Sequence, residues 1–518
     1  MWVFIRWRLR HRTQWCIALI GLRLRQAVLT LLLASCVFAA GSGSGAEVRL
    51  PDMGSPADAL LSKSVESQIG RQIMQQIRRS GVLVEDAQIN EYITDIGHRV
   101  AAHANNGDYK FTFFVVDEPS INAFALPGGY IGVHTGLIEA TRNEDELAGV
   151  IAHEVAHVTQ RHIARAIHAN SRQSILTTAI MLGALLAGAA GAGGDAVQGA
   201  MAVAQGSAAQ QQINFTRSNE YEADRVGIDS LAAAGFDPMA MASFFEVLSR
   251  SNRPIEFRVP EFLRTHPVGA ARVSEARGRA RQYPKIDREN SHNYGIAKAR
   301  LRVAGIATPE EAVERFEAQD YATQDEATRY GRALAYVRAG RHRDALDIFN
   351  DLLREDQQVI AYHIGKARAE LALERIRASR DTYERALALF PRNLPLVVDY
   401  GESLLQLGDA EHAHDLLLDL LNTVPPTPEQ VRLIARAAIA AGEDAEAYYY
   451  MAEHSFMVGD LIRGVSFLQQ ALALPELQDI QRARFEARID FIEGFMTPEQ
   501  LQQMRRAPRG QIPTDVPG

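Results

Sequence analysis

A spacing of 34 residues in the C-terminal part of the chain constrains its fold most strongly. Gly340, Gly408 and Gly442 fall on this spacing, with Glu374 at the remaining position. A second set, of small residues, comprises Ala345, Ser379, Ala413 and Ala447. This period is typical of helix pairs that stack into a solenoid with a concave protein-binding surface. The spacing breaks after Gly442, because Gly459 follows half a repeat later, so we expect the last helices to cap the stack.

The N-terminal segment has the features of an export signal. Residues 1–26 contain six arginines and no acidic residue, and Ala27 to Ala40 form an apolar run of fourteen residues. This run fits a signal-peptide core better than a membrane span. We favour a leader ending near residue 39 or 46, and the alternative is a lipoprotein that begins at Cys36.

Cysteine usage and charge exclude two classes of function. The two cysteines, Cys16 and Cys36, lie in the leader, so the exported part has no disulfide and no thiol nucleophile. Removing the six leader arginines lowers the net charge from -8 to about -14, which predicts no nucleic-acid partner. We interpret the Ala- and Gly-rich residues 175–194 as a core helix, and contact with a membrane surface is the alternative.

The pattern H-E-x-x-H occurs at His153-Glu154-Val155-Ala156-His157. The segment reads as a helix with helical apolar spacing, because Asn143 can cap it and Glu146 occupies its third position. Positions four apart lie on one helical face, so both imidazoles can bind one zinc ion while Glu154 acts as a base towards water. The sequence therefore predicts hydrolysis of peptide bonds. The alternative is an accidental match on a solvated face.

A third zinc ligand cannot come from the residues just after this pattern. The extended metzincin pattern would need histidine at position 163, where the chain has Ile163. In a continuous helix His162 would lie about 140° round from His157 and would point away.

Glu220 is the next glutamate along the chain after residue 158. It precedes Asp224 by one helical turn, so Glu220 can bind the metal while Asp224 accepts a hydrogen bond from a ligand imidazole. We therefore predict Glu220 as a ligand and Asp224 as a supporting catalytic residue. Glu222 lies on another face of the helix, and a surface helix of ordinary ion pairs is the alternative for this segment.

A strand and a hairpin are expected before the helix that carries the H-E-x-x-H pattern. Phe111 to Val116 is a strand candidate, and two extended runs flank the turn signal Pro127-Gly128-Gly129. The edge of such a hairpin can pair with an extended peptide, which makes four residues candidates for a substrate edge. These four residues are Asn122, Ala123, Phe124 and Ala125. The alternative is a hairpin that serves the core alone.

These motifs together resemble a known family. The residues 153–157, 220–224 and 122–131, with Thr265-His266-Pro267, look like those of the HtpX-type and CAAX-prenyl-type gluzincin zinc peptidases. The chain is most similar to the periplasmic branch with tetratricopeptide repeats, the beta-barrel assembly-enhancing proteases. This resemblance extends from about residue 60 to about residue 490.

The resemblance implies roles for the matched residues. One zinc ion per chain would be held by His153, His157 and Glu220, with Glu154 as general base. His266 matches a loop histidine that can take the fourth zinc position and keep the enzyme inactive. The alternative is a loop histidine without metal contact.

The expected fold class is mainly α with a small β-sheet. We expect a leader over 1–46, an α+β zincin-type metallopeptidase domain over 55–285, connecting helices over 286–325, repeats over 326–495 and a disordered tail over 496–518. By resemblance, the chain is a periplasmic zinc endopeptidase that degrades stalled outer-membrane proteins, with repeats that bind substrate or the outer-membrane assembly machinery. The alternative is a repeat scaffold or chaperone with little proteolysis.

Overall fold

The computed structural model of the protein describes residues 61–104, 109–169, 217–251, 261–318, 320–421 and 425–506. The predicted leader, the apolar residues 175–194 and the end of the predicted tail lie outside the described residues. Within the described ranges the chain is mainly helical with one small sheet, which confirms the expected fold class. None of the helices in these ranges has the length and apolarity to cross a membrane.

Eleven helices and three strands form the part of the described chain that precedes the repeats. They are α1 Lys63–Arg79, α2 Ala87–Ala101, β1 Thr112–Val116, β2 Ala123–Leu126, β3 Tyr130–His134, α3 Thr135–Ala140, α4 Glu144–Thr159, α5 His162–Ala169, α6 Arg217–Ala233, α7 Met239–Ser251, α8 Glu261–Thr265, α9 Ala270–Ala280, α10 His292–Gly305 and α11 Pro309–Glu317.

The three strands form one mixed sheet in the order β1-β3-β2. β2 and β3 form the predicted antiparallel hairpin, with Ala123 opposite Val133, and β1 runs parallel to β3. Gly128 and Gly129 form the turn with φ values of 82° and 92°, a conformation that glycine adopts without strain. The order leaves β2 at one edge of the sheet.

The larger of two apolar clusters that contain sheet residues joins the sheet to the helices around α4. Phe113, Val115 and Ile131 of the sheet pack in it with Leu147 and Ile151 of α4. Nearly every side chain of α4 is buried, so polar residues on this helix need partners inside the protein. This burial places the H-E-x-x-H pattern in the interior rather than on a solvated face.

The repeat region is a continuous stack of antiparallel helix pairs. Its helices are α12 Glu326–Arg338, α13 His342–Glu355, α14 Ile360–Ala372, α15 Ile376–Leu389, α16 Leu394–Gln406, α17 Ala410–Leu421, α18 Pro428–Ala441, α19 Asp444–Met457, α20 Leu461–Leu472, α21 Asp479–Glu493 and α22 Pro498–Arg506. The small residues of the second 34-residue set are all buried where helices cross.

The first 34-residue set marks the tight turns inside the helix pairs. Gly340, Gly408 and Gly442 have φ values of 73°, 77° and 77°, and Glu374 adopts 60° at the equivalent turn. Gly459, with φ 83°, places one more tight turn half a repeat later. The spacing breaks because α20 follows α19 after this tight turn, whereas successive helix pairs earlier in the stack are joined by longer loops.

Part of the tail that was expected to be disordered is helical. Residues 498–506 form helix α22, and Leu501 and Met504 pack against the core of the last helices. A proline at the first helical position and two apolar residues three apart explain this helix. Residues 507–518 lie outside the described part of the chain.

Candidate active site

Helix α4 carries three of the predicted site residues and starts where the sequence indicated. Asn143 Oδ1 accepts the Glu146 N–H at 2.9 Å, as a helix cap does. The Glu146 carboxylate reaches the backbone N–H of Arg142 rather than that of the cap, at 2.8 Å. His153, Glu154 and His157 follow two to three turns later and are buried.

Helix α6 packs directly on α4 and brings in the two predicted carboxylates. Gly227 allows this close approach, since a Cβ there would lie 3.1 Å from the Ala152 carbonyl oxygen. Glu220 Oε2 lies 3.6 Å from His153 Nε2, and Glu220 Oε1 lies 3.6 Å from His157 Nε2. Residues 63 positions or more apart in sequence therefore meet on the buried faces of two helices.

His266 completes a buried group of four donors. It follows the short helix α8, and its Nδ1 lies 3.1 Å from the Glu220 carboxylate and 3.3 Å from His153 Nε2. One ligand atom from each of His153, His157, Glu220 and His266 lies within 4.8 Å of the others. The structure thus brings all four predicted ligand candidates together.

The spacing of these donors fits a tetrahedral zinc ion. Ligand atoms about 2.0–2.1 Å from zinc in a tetrahedron lie roughly 3.3 Å from one another. The measured donor distances include 3.0 Å between His153 Nε2 and His157 Nε2, and the others given above reach 3.6 Å. Two or three imidazoles with one carboxylate are also the nitrogen and oxygen ligands that zinc prefers.

The electrostatics of the group favours a bound cation. Burial alone would raise the pKa of Glu220, but the surrounding imidazoles hold that pKa well below its usual range. Burial opposes charge on His153 as well, yet Asp224 and Glu220 raise its pKa to about 9. Carboxylates that stay charged inside a protein need positive charge beside them.

Glu154 lies beside the four donors rather than among them. Burial raises the pKa of its carboxyl group, and the backbone N–H of Ala125 opposes this shift by a hydrogen bond. Glu154 Oε1 lies 3.6 Å from His266 Nε2. A carboxylate of raised pKa next to a zinc site is suited to take a proton from water.

The predicted substrate edge reaches this carboxylate through Ala125. Ala123, Phe124 and Ala125 belong to β2 at the sheet edge, and the buried Asn122 immediately precedes them. The Asn122 carbonyl accepts the His134 N–H at 3.0 Å, which extends the hairpin ladder by one residue.

Asp224 lies behind the candidate ligand His153, as predicted. Its partner Arg272 was not predicted from the sequence. Asp224 Oδ1 lies 3.0 Å from His153 Nδ1. The buried Arg272 of α9 donates to both oxygens of Asp224 at 2.7 and 2.8 Å and to Glu220 Oε2 at 2.9 Å. Two buried carboxylates one turn apart are the signal that calls for such an arginine.

The prediction that His162 points away from His157 is wrong. Helix α4 ends at Thr159, Arg161 adopts a φ of 55°, and α5 starts at His162, so the continuous helix assumed for the prediction is broken. His162 is buried, and its Nδ1 lies 2.8 Å from His157 Nδ1. Glu222, on another face of α6 than Glu220, contacts His162 Nε2 at 3.3 Å.

Comparison with family models gives two matches. Residues 87–280 match peptidase family M48, and residues 370–437 match a tetratricopeptide repeat.

Comparison with curated proteins gives relatives over most of the chain. The chain is 33% identical over 453 residues to the beta-barrel assembly-enhancing protease of Escherichia coli K12, covering 85% of this chain and 90% of that protein. It is 32% identical to the protein of the same name from Yersinia pestis, covering 89% and 97%. Over 175 residues it is 35% identical to the mitochondrial metalloendopeptidase OMA1 of Arabidopsis thaliana, covering 34% and 32%.

Proposed function

Because the chain belongs to peptidase family M48, among the beta-barrel assembly-enhancing proteases, and is a zinc metalloendopeptidase, we propose that it cleaves misfolded or stalled outer-membrane proteins in the periplasm of a Gram-negative bacterium. The relatives are named beta-barrel assembly-enhancing proteases, which supports β-barrel proteins as the substrate class. The observation that carries the proposal is the buried group of four zinc-type donors beside Glu154.

In this proposal His153, His157 and Glu220 hold the zinc ion, and His266 is an exchangeable fourth donor. Zinc bound there supplies a Lewis acid that activates water and polarises the scissile carbonyl group. The Glu154 carboxylate takes a proton from the attacking water and later gives it to the leaving amine. Asp224 acts through His153, because it lies 3.0 Å from the ring nitrogen that faces away from the other donors.

The substrate lies against β2 in an extended conformation. The Ala125 N–H that reaches Glu154 marks the part of the strand edge nearest the general base. Main-chain hydrogen bonds with the edge of β2 would hold a peptide without requiring a particular side-chain sequence. Unfolded polypeptides of varied sequence are the substrates that such an edge accepts.

His266 restrains the enzyme in the conformation described above. Its imidazole takes the position that a water or a substrate carbonyl needs, at 3.1 Å from Glu220 and 3.3 Å from His153. Arg272 also donates to the Pro267 carbonyl oxygen at 2.9 Å, which ties the His266 loop to the two carboxylates. Activity therefore requires the loop to move away.

The catalytic proposal is tested by zinc analysis together with cleavage of an unfolded outer-membrane β-barrel protein. We expect one zinc ion per chain, cleavage by the wild type and cleavage about 10²- to 10⁴-fold slower in Glu154→Gln, which is the range that general-base catalysis contributes. Retained zinc in Glu154→Gln is the control for an intact site. Equal cleavage by the two proteins would leave the repeat scaffold as the function.

The restraint is tested by His266→Ala. We expect faster cleavage of the same unfolded substrate, because the variant removes the donor that competes with water for the open position. The double variant with Glu154→Gln is the control and should be inactive, which assigns the increase to this site. Unchanged or slower cleavage by a folded His266→Ala protein would contradict the restraint.

The repeats bind substrates or the outer-membrane assembly machinery in this proposal. Stacked helix pairs present the extended concave surface that protein-binding solenoids use, and the observed stack from α12 to α21 supports this role. A folded fragment that ends before α12 should still bind zinc. It should no longer cleave outer-membrane proteins faster than it cleaves casein. Preference retained by such a folded fragment would contradict the role of the repeats.

A further inference from the structure

The turn after the metal helix brings His162 against the outer side of a zinc ligand. Arg161 makes the turn possible with its φ of 55°, and its guanidinium donates to the Leu61 carbonyl oxygen at 2.6 Å and to Glu66 Oε1 at 3.0 Å. These contacts fix the turn to the rest of the domain. His162 is fully buried beneath His157, with the two Nδ1 atoms 2.8 Å apart.

A contact between two Nδ1 atoms requires one donor and one acceptor. His157 directs Nε2 towards His153 and Glu220, so this nitrogen must keep its lone pair when the residue binds zinc. The proton of the neutral His157 ring is then on Nδ1 and must be donated to His162 Nδ1. His162 consequently carries its own proton on Nε2.

Glu222 holds His162 in the tautomer that this contact needs. The Glu222 carboxylate lies 3.3 Å from His162 Nε2 and accepts its proton in a hydrogen bond. Arg165 Nη1 donates to the same carboxylate oxygen at 2.8 Å and keeps it charged. A chain of polar contacts thus runs from His157 through His162 and Glu222 to the protein surface.

The two ligand histidines are supported in different ways. His153 has a carboxylate, Asp224, directly behind it at 3.0 Å, whereas His157 has a second imidazole between itself and its carboxylate. We propose that His162 is a positioning residue that fixes the tautomer and orientation of His157 for zinc, with Glu222 as its anchor. This inference rests on His157 being a zinc ligand, as in the proposed function.

Zinc affinity of the full chain, measured by competition with a chromophoric chelator, tests the role of His162. In His162→Leu we expect zinc binding to weaken by about 10- to 100-fold, because the His157 Nδ1–H loses its acceptor. In His162→Asn the side-chain oxygen replaces Nδ1 and should keep affinity within about threefold of the wild type. Asparagine fills the site less well than leucine does. Better zinc binding by His162→Asn than by His162→Leu would therefore show that the hydrogen-bond acceptor matters rather than the volume of the side chain.

Cobalt substitution supplies a second readout that does not depend on proteolysis. The visible spectrum of the cobalt-loaded protein should change in His162→Leu and match the wild type in His162→Asn. Equal affinity and equal spectra in wild type and His162→Leu would overturn the inference, and the proposed peptidase function would stand. A wild-type chain that binds no zinc would instead overturn the proposed function.

Two further variants keep the test decisive if His162→Leu does not fold. Glu222 is part-exposed, so we expect Glu222→Leu to fold and to weaken zinc binding by several-fold, and Glu222→Gln to weaken it less. Unchanged zinc affinity in Glu222→Leu would overturn the role of the anchor. His414→Leu removes a buried histidine in the repeat region and should leave zinc affinity unchanged.

Discussion

At the scale of single residues, Arg272 links two carboxylates of α6 to the loop that carries His266. Its guanidinium binds Asp224 through two nitrogens, Glu220 through a third contact and the Pro267 carbonyl oxygen next to His266. Only a planar guanidinium offers this geometry, because a lysine ammonium cannot bind a carboxylate in the same two-pronged way. Arg272 therefore connects the candidate ligand Glu220 to the loop that carries His266.

Arg272→Met should destabilise the zinc-free protein by about 3–5 kcal/mol, because it leaves two buried carboxylates without their cation. Zinc bound to Glu220, as in the proposed function, would offset part of this cost, so the loss should be smaller in the zinc-loaded protein. Urea unfolding with and without a chelator measures both values. Arg272→Lys keeps the charge and is the matched control, with an intermediate loss. An equal loss in the two metal states would contradict this account.

The grouping of the four candidate ligands could be predicted from sequence, whereas the positions of Arg272 and His162 beside them could not. His153 and His157 share a helical face by spacing, and Glu220 and Asp224 do so one turn apart. Arg272 and His162 depend on how α9 packs and on where α4 ends, which spacing does not give. The break at Arg161 lacks the glycine that usually marks a left-handed residue.

At the scale of elements, the crossing of α4 and α6 determines the distance between the ligands. Gly227 lies two helical turns after Glu220 and faces the carbonyl oxygen of Ala152, the residue directly before His153. Any side chain at this position must push α6 away from α4. We therefore expect the glycine to influence zinc binding through the separation of the two helices.

Gly227→Ala should lower both zinc affinity and stability, because its Cβ would lie 3.1 Å from the Ala152 carbonyl oxygen and 3.0 Å from Met241 Cε. Gly278→Ala in α9 is the matched control, since a Cβ there has no neighbour within 4 Å and gains helix propensity. We expect the two variants to differ by about 1–3 kcal/mol in urea unfolding. Equal effects would show that the crossing tolerates a wider separation.

The local signals of the elements predicted the hairpin and the repeats well. The Pro127-Gly128-Gly129 signal predicted the turn, and the 34-residue spacing placed Glu374 at the position equivalent to the repeat glycines, where the structure shows a φ of 60°. The helix at residues 498–506 was missed although Pro498 begins it, because the polar composition of the tail predicts disorder and its packing on the preceding helices is not visible in the sequence. The assignment of domain limits remains a prediction.

At the scale of the whole molecule, the repeats contact the first two helices of the peptidase part. Arg78 Nη1 of α1 donates to the Met457 carbonyl oxygen at 3.1 Å, and Gln75 Nε2 donates to that of Phe456 at 3.2 Å. In α2, Glu91 accepts from Asn393 Nδ2 at 3.1 Å. These partners are separated by about 300 residues or more, so neither periodicity nor motif spacing could predict them.

Glu91 should make the stability of the described assembly depend on pH. Burial first, and then the charge of Asp95, raise the pKa of Glu91 from 4.5 to about 7, against the hydrogen bonds from Asn393 and the Leu394 N–H. The folded protein thus binds a proton that the unfolded chain releases near its ordinary pKa, so stability should fall as pH rises from about 4.5 to about 7.

Glu91→Gln mimics the protonated carboxyl group and keeps an acceptor for Asn393. The variant should therefore match the wild type near pH 4.5 and be more stable by roughly 1–3 kcal/mol at pH 8, by urea unfolding. Asp95→Asn is the control, because removing its charge lowers the pKa of Glu91 and should weaken the pH dependence of the wild-type background. A stability difference between Glu91→Gln and wild type that stays constant from pH 4.5 to 8 would mean that Glu91 does not titrate at this contact, and the repeats would then be held against α2 independently of its charge.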